Sequence, residues 1–129
     1  MASIKTFEDI EAWQEARHLA GLVYKTVQNS GLRSDFGLRD QLQRAAVSVM
    51  ANIAEGFGRY RNTEFIQYLR VASGSCAEVQ SHLYIGLDAD LISQEQFDTL
   101  QSQSKLVARK LSAFRRYLTN QTNQTNQTK

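Results

Sequence analysis

The chain has no proline, a single cysteine, and no acidic residue beyond Asp98. Proline usually marks tight turns and sheet edges, so its absence from 129 residues favours long uninterrupted helices. The lone cysteine, Cys76, excludes an intrachain disulfide and fits a reducing compartment. No run approaches the about 18 apolar residues that a membrane span needs. The opening MASIKTFEDIEAWQEA lacks the basic-then-apolar layout of a secretory signal. A soluble cytoplasmic protein without membrane contact is expected.

Hydrophobic residues make up 42% of the chain, enough for the core of one domain. Their spacing is helical. Ile10, Trp13, Ala16, Ala20, Val23 and Val27 recur at threes and fours after Thr6, which pairs with Asp9 as a capping signal. Asn29-Ser30-Gly31 closes that first helix. A second helix is expected from between Ser34 and Gly37 to about Gly58. A third begins near Asn62-Thr63 and carries Phe65, Leu69, Ala72, Cys76, Val79 and Leu83. The fourth opens with a capping box, Ser93 with Gln96, and carries Phe97, Leu100, Ser104, Val107, Leu111, Phe114 and Leu118. Short connections force neighbouring helices antiparallel, so the fold class is an all-α, up-down four-helix bundle. It is expected to occupy residues 1–118. Residues 119–129, a repeated Asn-Gln-Thr triplet with nothing to bury, are expected to form a disordered tail.

The second helix is unusually apolar. Leu38, Leu42, Ala45, Val49, Ile53 and Gly56 share one arc, while Val47, Met50, Ala51 and Ala54 share another. Gln41, Arg44, Ser48, Asn52, Glu55 and Arg59 form a narrow polar stripe between them. Two readings fit: this is the most buried helix of one bundle, or its second arc meets another copy of the chain. The second is favoured, because small side chains let backbones approach closely. The expected interface is then Val47, Met50, Ala51 and Ala54, with Arg44, Asn52 and Glu55 at its margin.

Net charge is only +2, but it is unevenly placed. In an up-down bundle the loop between the second and third helices shares an end with both chain termini. That end collects Lys5, Arg59, Arg61, Arg115 and Arg116, with Tyr60 between two arginines. The opposite end collects Asp35, Asp40, Asp88, Asp90, Glu95 and Asp98 against Arg33 and Arg39. Arginines flanking an exposed tyrosine can hold phosphates while the ring stacks on a base, so these basic residues are the candidate nucleic-acid contacts. The plainer reading is a solvated surface with cations at helix ends, and Glu8, Asp9 and Glu64 at the same end dilute the charge.

Catalytic arrangements are incomplete. Glu15 and His18 have the Glu-x-x-His spacing of di-iron bundles, but Glu78 and His82 are one residue too far apart to supply the second copy. Cys76 lies on an apolar seam, as a core cysteine does. Gly56-Phe57-Gly58 lacks the third glycine and the preceding strand of a dinucleotide loop. No enzyme, metal, cofactor or small-molecule substrate is expected.

The run from Leu42 to Leu83 resembles the 23S ribosomal RNA intervening-sequence proteins, most specifically from Arg44-Ala-Ala-Val47 through Asn52-Ile-Ala-Glu-Gly56-Phe-Gly-Arg59. Phe7 to Gln14 is similar to their usual opening, and the likeness spans roughly residues 4–118. The accessory variability determinant of diversity-generating retroelements is similar to the same family. The resemblance implies a ring-shaped homopentamer of four-helix bundles with a basic surface suited to RNA or DNA, and no enzymatic activity. The number five follows from the resemblance alone. The chain departs from the family at Met50, where many members carry a helix-kinking proline, and in the Asn-Gln-Thr tail. The alternative is a structural scaffold that presents its oligomer to a protein partner and binds no nucleic acid.

Overall fold

The computed structural model describes residues 4–127, so residues 1–3 of the expected bundle and residues 128–129 of the expected tail lie outside the described residues. Four helices carry the fold: α1 (Glu11–Gln28), α2 (Phe36–Phe57), α3 (Asn62–Asp88) and α4 (Gln94–Gln127), with no strand among the described residues. Each helix packs against its two neighbours in the ring α1–α2–α3–α4, and the α2–α3 contact is the most extensive. The 22 residues of α2 span about 33 Å at 1.5 Å per residue.

The expected seams are the buried ones. Every seam residue named above on the first, third and fourth helices is buried, with Val23, Leu69, Val79, Leu83, Leu100 and Leu111 fully enclosed. Each such aliphatic side chain contributes about 1.5–3 kcal/mol by leaving water. On α2, Leu42, Ala45, Val49, Ile53 and Gly56 are buried, whereas Leu38 near its start is half-buried. Gly56 marks the closest approach of α2 to α3: a Cβ there would stand 2.7 Å from Tyr68 Cβ and 2.8 Å from Phe65 Cδ1.

Two expectations are corrected. The Thr6–Asp9 capping box exists, but it closes a separate 3-10 turn, Phe7–Asp9, and not the first helix. Ile10 then adopts an extended conformation (φ −81°, ψ 121°) and α1 begins at Glu11. The break lets Ile10 enter the core and Phe7 pack edge-on to Trp13 at 5.0 Å. Residues 119–127, expected as disordered tail, continue α4. Once a helix is nucleated each further residue adds a hydrogen bond, and this stretch is also anchored from its sides. Gln121 Nε2 donates to the Tyr117 hydroxyl at 2.6 Å, and Thr122 Oγ1 donates to the Leu118 carbonyl at 2.9 Å.

The polar side chains among the buried seams are paired. Cys76 Sγ donates to the Ser104 carbonyl at 3.1 Å, and burial pushes the Cys76 thiol up to about 11. Gln101 Nε2 donates to the Gln80 carbonyl at 2.8 Å and Ser104 Oγ to the Gln101 carbonyl at 2.9 Å. The polar stripe of α2 faces α3: the Ser48 and Ser75 hydroxyls lie 2.9 Å apart, and Asn52 Nδ2 donates to the Ser48 carbonyl and hydroxyl.

Candidate nucleic-acid interface

The α2–α3 loop and the two ends of the described chain meet around one cavity of about 300 Å³. Its lining draws on the N-terminal segment (Ile4), the end of α2 (Phe57), the loop and α3 (Tyr60, Arg61, Asn62, Phe65), and α4 (Phe114, Tyr117, Leu118, Gln121). The aromatic residues form a continuous wall. Phe57 meets Phe65 edge-on at 6.2 Å, Phe65 meets Phe114 edge-on at 5.3 Å, and Phe114 stacks on Tyr117 at 6.3 Å. Above it, Asn62 Nδ2 donates to Gln121 Oε1 at 3.5 Å, bringing two amide side chains to the lining.

Of the six residues singled out from the sequence, Tyr60 and Arg61 line the cavity. Arg59 lines a separate recess with Glu64, Gln67 and Tyr68, and Lys5, Arg115 and Arg116 stand next in the chain to the lining residues Ile4, Phe114 and Tyr117 without being part of the lining. They are not equivalent. Arg59 Nη2 donates to Glu55 Oε1 at 3.0 Å, and its guanidinium lies over the Tyr68 ring at 5.1 Å. The Glu55 hydrogen bond, followed by the Tyr68 hydroxyl, holds Arg59 above its ordinary pKa. Its charge is therefore already partly answered. Lys5, Arg61, Arg115 and Arg116 have no carboxylate partner among the ion pairs of the described residues. Arg115 is half-buried, with its Nε shielded from solvent and lacking a hydrogen-bond partner. Of the acidic residues that dilute this end, Asp9 is occupied by the backbone N–H groups of Lys5 and Thr6, which hold its carboxyl below the ordinary range.

Tyr60 is 92% exposed and sits in the left-handed region at φ 64°. A bulky side chain is an outlier there, because its Cβ crowds the following carbonyl. The local chain explains the geometry. Gly58 caps α2 in a right-handed conformation, Arg59 N–H bonds back to the Gly56 carbonyl, and Arg61 must be extended to start α3. Tyr60 absorbs the reversal.

The residues expected at an interface between copies divide. Val47 is 40% exposed and Ala51, Arg44 and Glu55 are exposed, whereas Met50 and Ala54 are half-buried against the core. Asn52 is turned onto Ser48, and Glu55 onto Arg59 and Tyr68. So the polar stripe finds most of its partners within the same chain. α2 runs without a break through Met50.

Sequence reading missed Phe57, Tyr117, Asn62 and Gln121 as site residues and took Phe65 and Phe114 as core alone. The available signal was the density of aromatics among arginines, in Phe57-Gly-Arg-Tyr-Arg61 and Phe114-Arg-Arg-Tyr117. Among the described residues no group of three or more His, Cys, Asp or Glu side chains is placed to hold a metal, and no helix is long and apolar enough to cross a membrane.

An aromatic recess with a cationic rim suits a flat ring attached to negative charge. Comparison with known proteins bears on the frame that carries it. No curated protein matches the chain. Among solved structures, a protein of unknown function from the S23 ribosomal protein family of Bacteroides thetaiotaomicron is similar, with a TM-score of 0.73 at 21% identity, covering 81% of this chain and 97% of that one. That likeness is one of fold. The family model for the 23S rRNA-intervening sequence protein matches residues 8–113, which takes in α1, α2, α3 and most of α4. With its four helices matched in this way, the chain belongs to the 23S rRNA-intervening sequence protein family.

Proposed function

We propose that this chain is a non-enzymatic cytoplasmic protein that assembles with copies of itself, as a ring of five by family resemblance, and binds RNA or DNA through its cationic open end. What supports the reading is Tyr60 and Arg61 on one aromatic recess, with Lys5, Arg115 and Arg116 next in the chain to its lining residues and in none of the ion pairs among the described residues. A single rim is modest; copies arranged symmetrically add their fields and raise affinity for a polyanion. Val47 and Ala51 on α2 and Val71 on α3, exposed on adjacent helices, favour the self-association.

Fluorescence anisotropy with a labelled 20-nucleotide RNA tests the binding. Affinity should fall steeply with salt, and Arg59→Ala with Arg61→Ala should lower both the affinity and the salt slope. No binding at low salt defeats the reading. Light scattering tests the assembly, and a monomer at micromolar concentration defeats it. Tyr84 and Ile85, 54% and 56% exposed on α3, favour the second reading, a scaffold for a protein partner. It stands if the assembly forms and nucleic acid does not bind.

A further inference from the structure

We infer that the cavity between Tyr60 and Tyr117 receives one unpaired base of a single-stranded nucleic acid, with an adjoining phosphate on Arg61. This rests on the nucleic-acid reading above and narrows it to single strands. Three observations lead there.

The first is Tyr60. Its ring is 92% exposed, so it adds nothing to the core, and its backbone is held at φ 64°, where glycine would sit without strain. The fold gains nothing from a tyrosine here, yet the ring stands at the mouth of the cavity. The second is the wall of Phe57, Phe65, Phe114 and Tyr117, whose rings are joined edge-to-face or stacked. Bases of any sequence stack on such surfaces because each has a π-face, whereas a duplex has already buried its faces in its own stack. At about 300 Å³ the recess is at the small end of ligand sites, sized for one heterocycle and part of its sugar. The third is polarity. Asn62 and Gln121 bring amide groups to the lining, joined to each other and to the Tyr117 hydroxyl, so a base edge would meet polar groups by exchanging these bonds, and the Arg61 cation stands at the same cavity.

The test uses the full chain and three probes: a 12-nucleotide uridine-rich RNA, the matching DNA strand, and a 12-base-pair duplex. Both single strands should bind at least tenfold more tightly than the duplex. Tyr60→Ala, at an exposed position, should weaken single-strand binding about tenfold and leave duplex binding unchanged, since stacking on one ring is worth that order. Gln121→Trp, which fills the recess, should do the same. A strand carrying 5-iodouridine, irradiated in the complex and mapped by mass spectrometry, should cross-link to Tyr60, Phe65, Phe114 or Tyr117. Equal affinity for strand and duplex, or cross-links confined to other surfaces, overturns the inference and leaves nucleic-acid binding standing. Binding of none of the three probes at low salt overturns the nucleic-acid reading and this inference with it.

Discussion

The two ends of the bundle are built from the same kind of helix and finished in opposite ways. At the far end, the 3-10 turn Gly31–Ser34 and the α3–α4 connection are stitched together. Gly31 N–H donates to the Leu91 carbonyl at 2.9 Å, and Gln96 Nε2 to the Asn29 carbonyl at 3.3 Å. Leu32 and Ile92 are buried beneath, and Ser93 with Gln96 and Asp35 with Leu38 cap the helices that start there. Even its left-handed residue is an easy one, Asp90 at φ 57°. The open end has no such backbone bridge among the described residues. Its segments meet through the Asn62–Gln121 contact at 3.5 Å and through rings around a cavity, with strain lodged in Tyr60. One end is finished for stability. The other leaves the Tyr60 ring exposed beside Arg61, which is where proteins place binding at the expense of stability.

The contrast can be broken hardest from the closed end. Leu32→Ala should lower unfolding free energy by about 2–5 kcal/mol in urea titration, because it empties a fully buried site under the stitched turn. A loss below about 1 kcal/mol would mean that this end is not the firmer one. From the open end the sign should reverse: Tyr60→Gly relieves a left-handed tyrosine and should raise stability by up to about 1 kcal/mol, while single-strand affinity falls. A variant both less stable and fully able to bind would contradict the division of labour.

The smallest effect concerns acid. Asp9 is held below its ordinary value of 3.8 by the Lys5 and Thr6 N–H groups, so its contribution is present above that value and lost as pH falls through the lower folded one. Glu11, held down by its hydrogen bond from Lys110, titrates in the same sense. Trp13 emission should therefore shift below about pH 4 as the Phe7–Asp9 turn loosens from the ring. In Asp9→Asn the part of that shift owed to the turn should vanish, and an unchanged titration would assign it all to Glu11.

Much of this frame is legible in the sequence, because burial follows helical periodicity. The stripes through Trp13, Leu69 and Leu111 identify the inner faces, and Ser93 with Gln96 identifies a helix start. Periodicity names a face without naming its neighbour. Asn52 read as the margin of a contact between copies, and its amide instead donates to Ser48 on the same helix, whose hydroxyl meets Ser75 of α3. Thr6 and Asp9 read as the start of a helix, but local capping could not reveal that Ile10 leaves the helical path to enter the core. The basic end was legible as charge. Its cavity was not, since Phe57, Phe65 and Phe114 come from three helices and carry the ordinary signal of core residues.

The hydroxyl pair of Ser48 and Ser75 also acts as a registry mark. The facing surfaces of α2 and α3 are rich in alanine and small residues, and such surfaces can slide past one another with little change in buried area. A slip of one turn, about 5.4 Å, would part the Ser48 and Ser75 hydroxyls, the side-chain hydrogen bond that joins the two helices at this level. It would also move Gly56 away from Phe65 and Tyr68, driving a side chain into the space only a hydrogen can fill. Two polar atoms 2.9 Å apart thus fix the height of α2 against α3, and with it the height at which the loop lifts Tyr60 over the cavity.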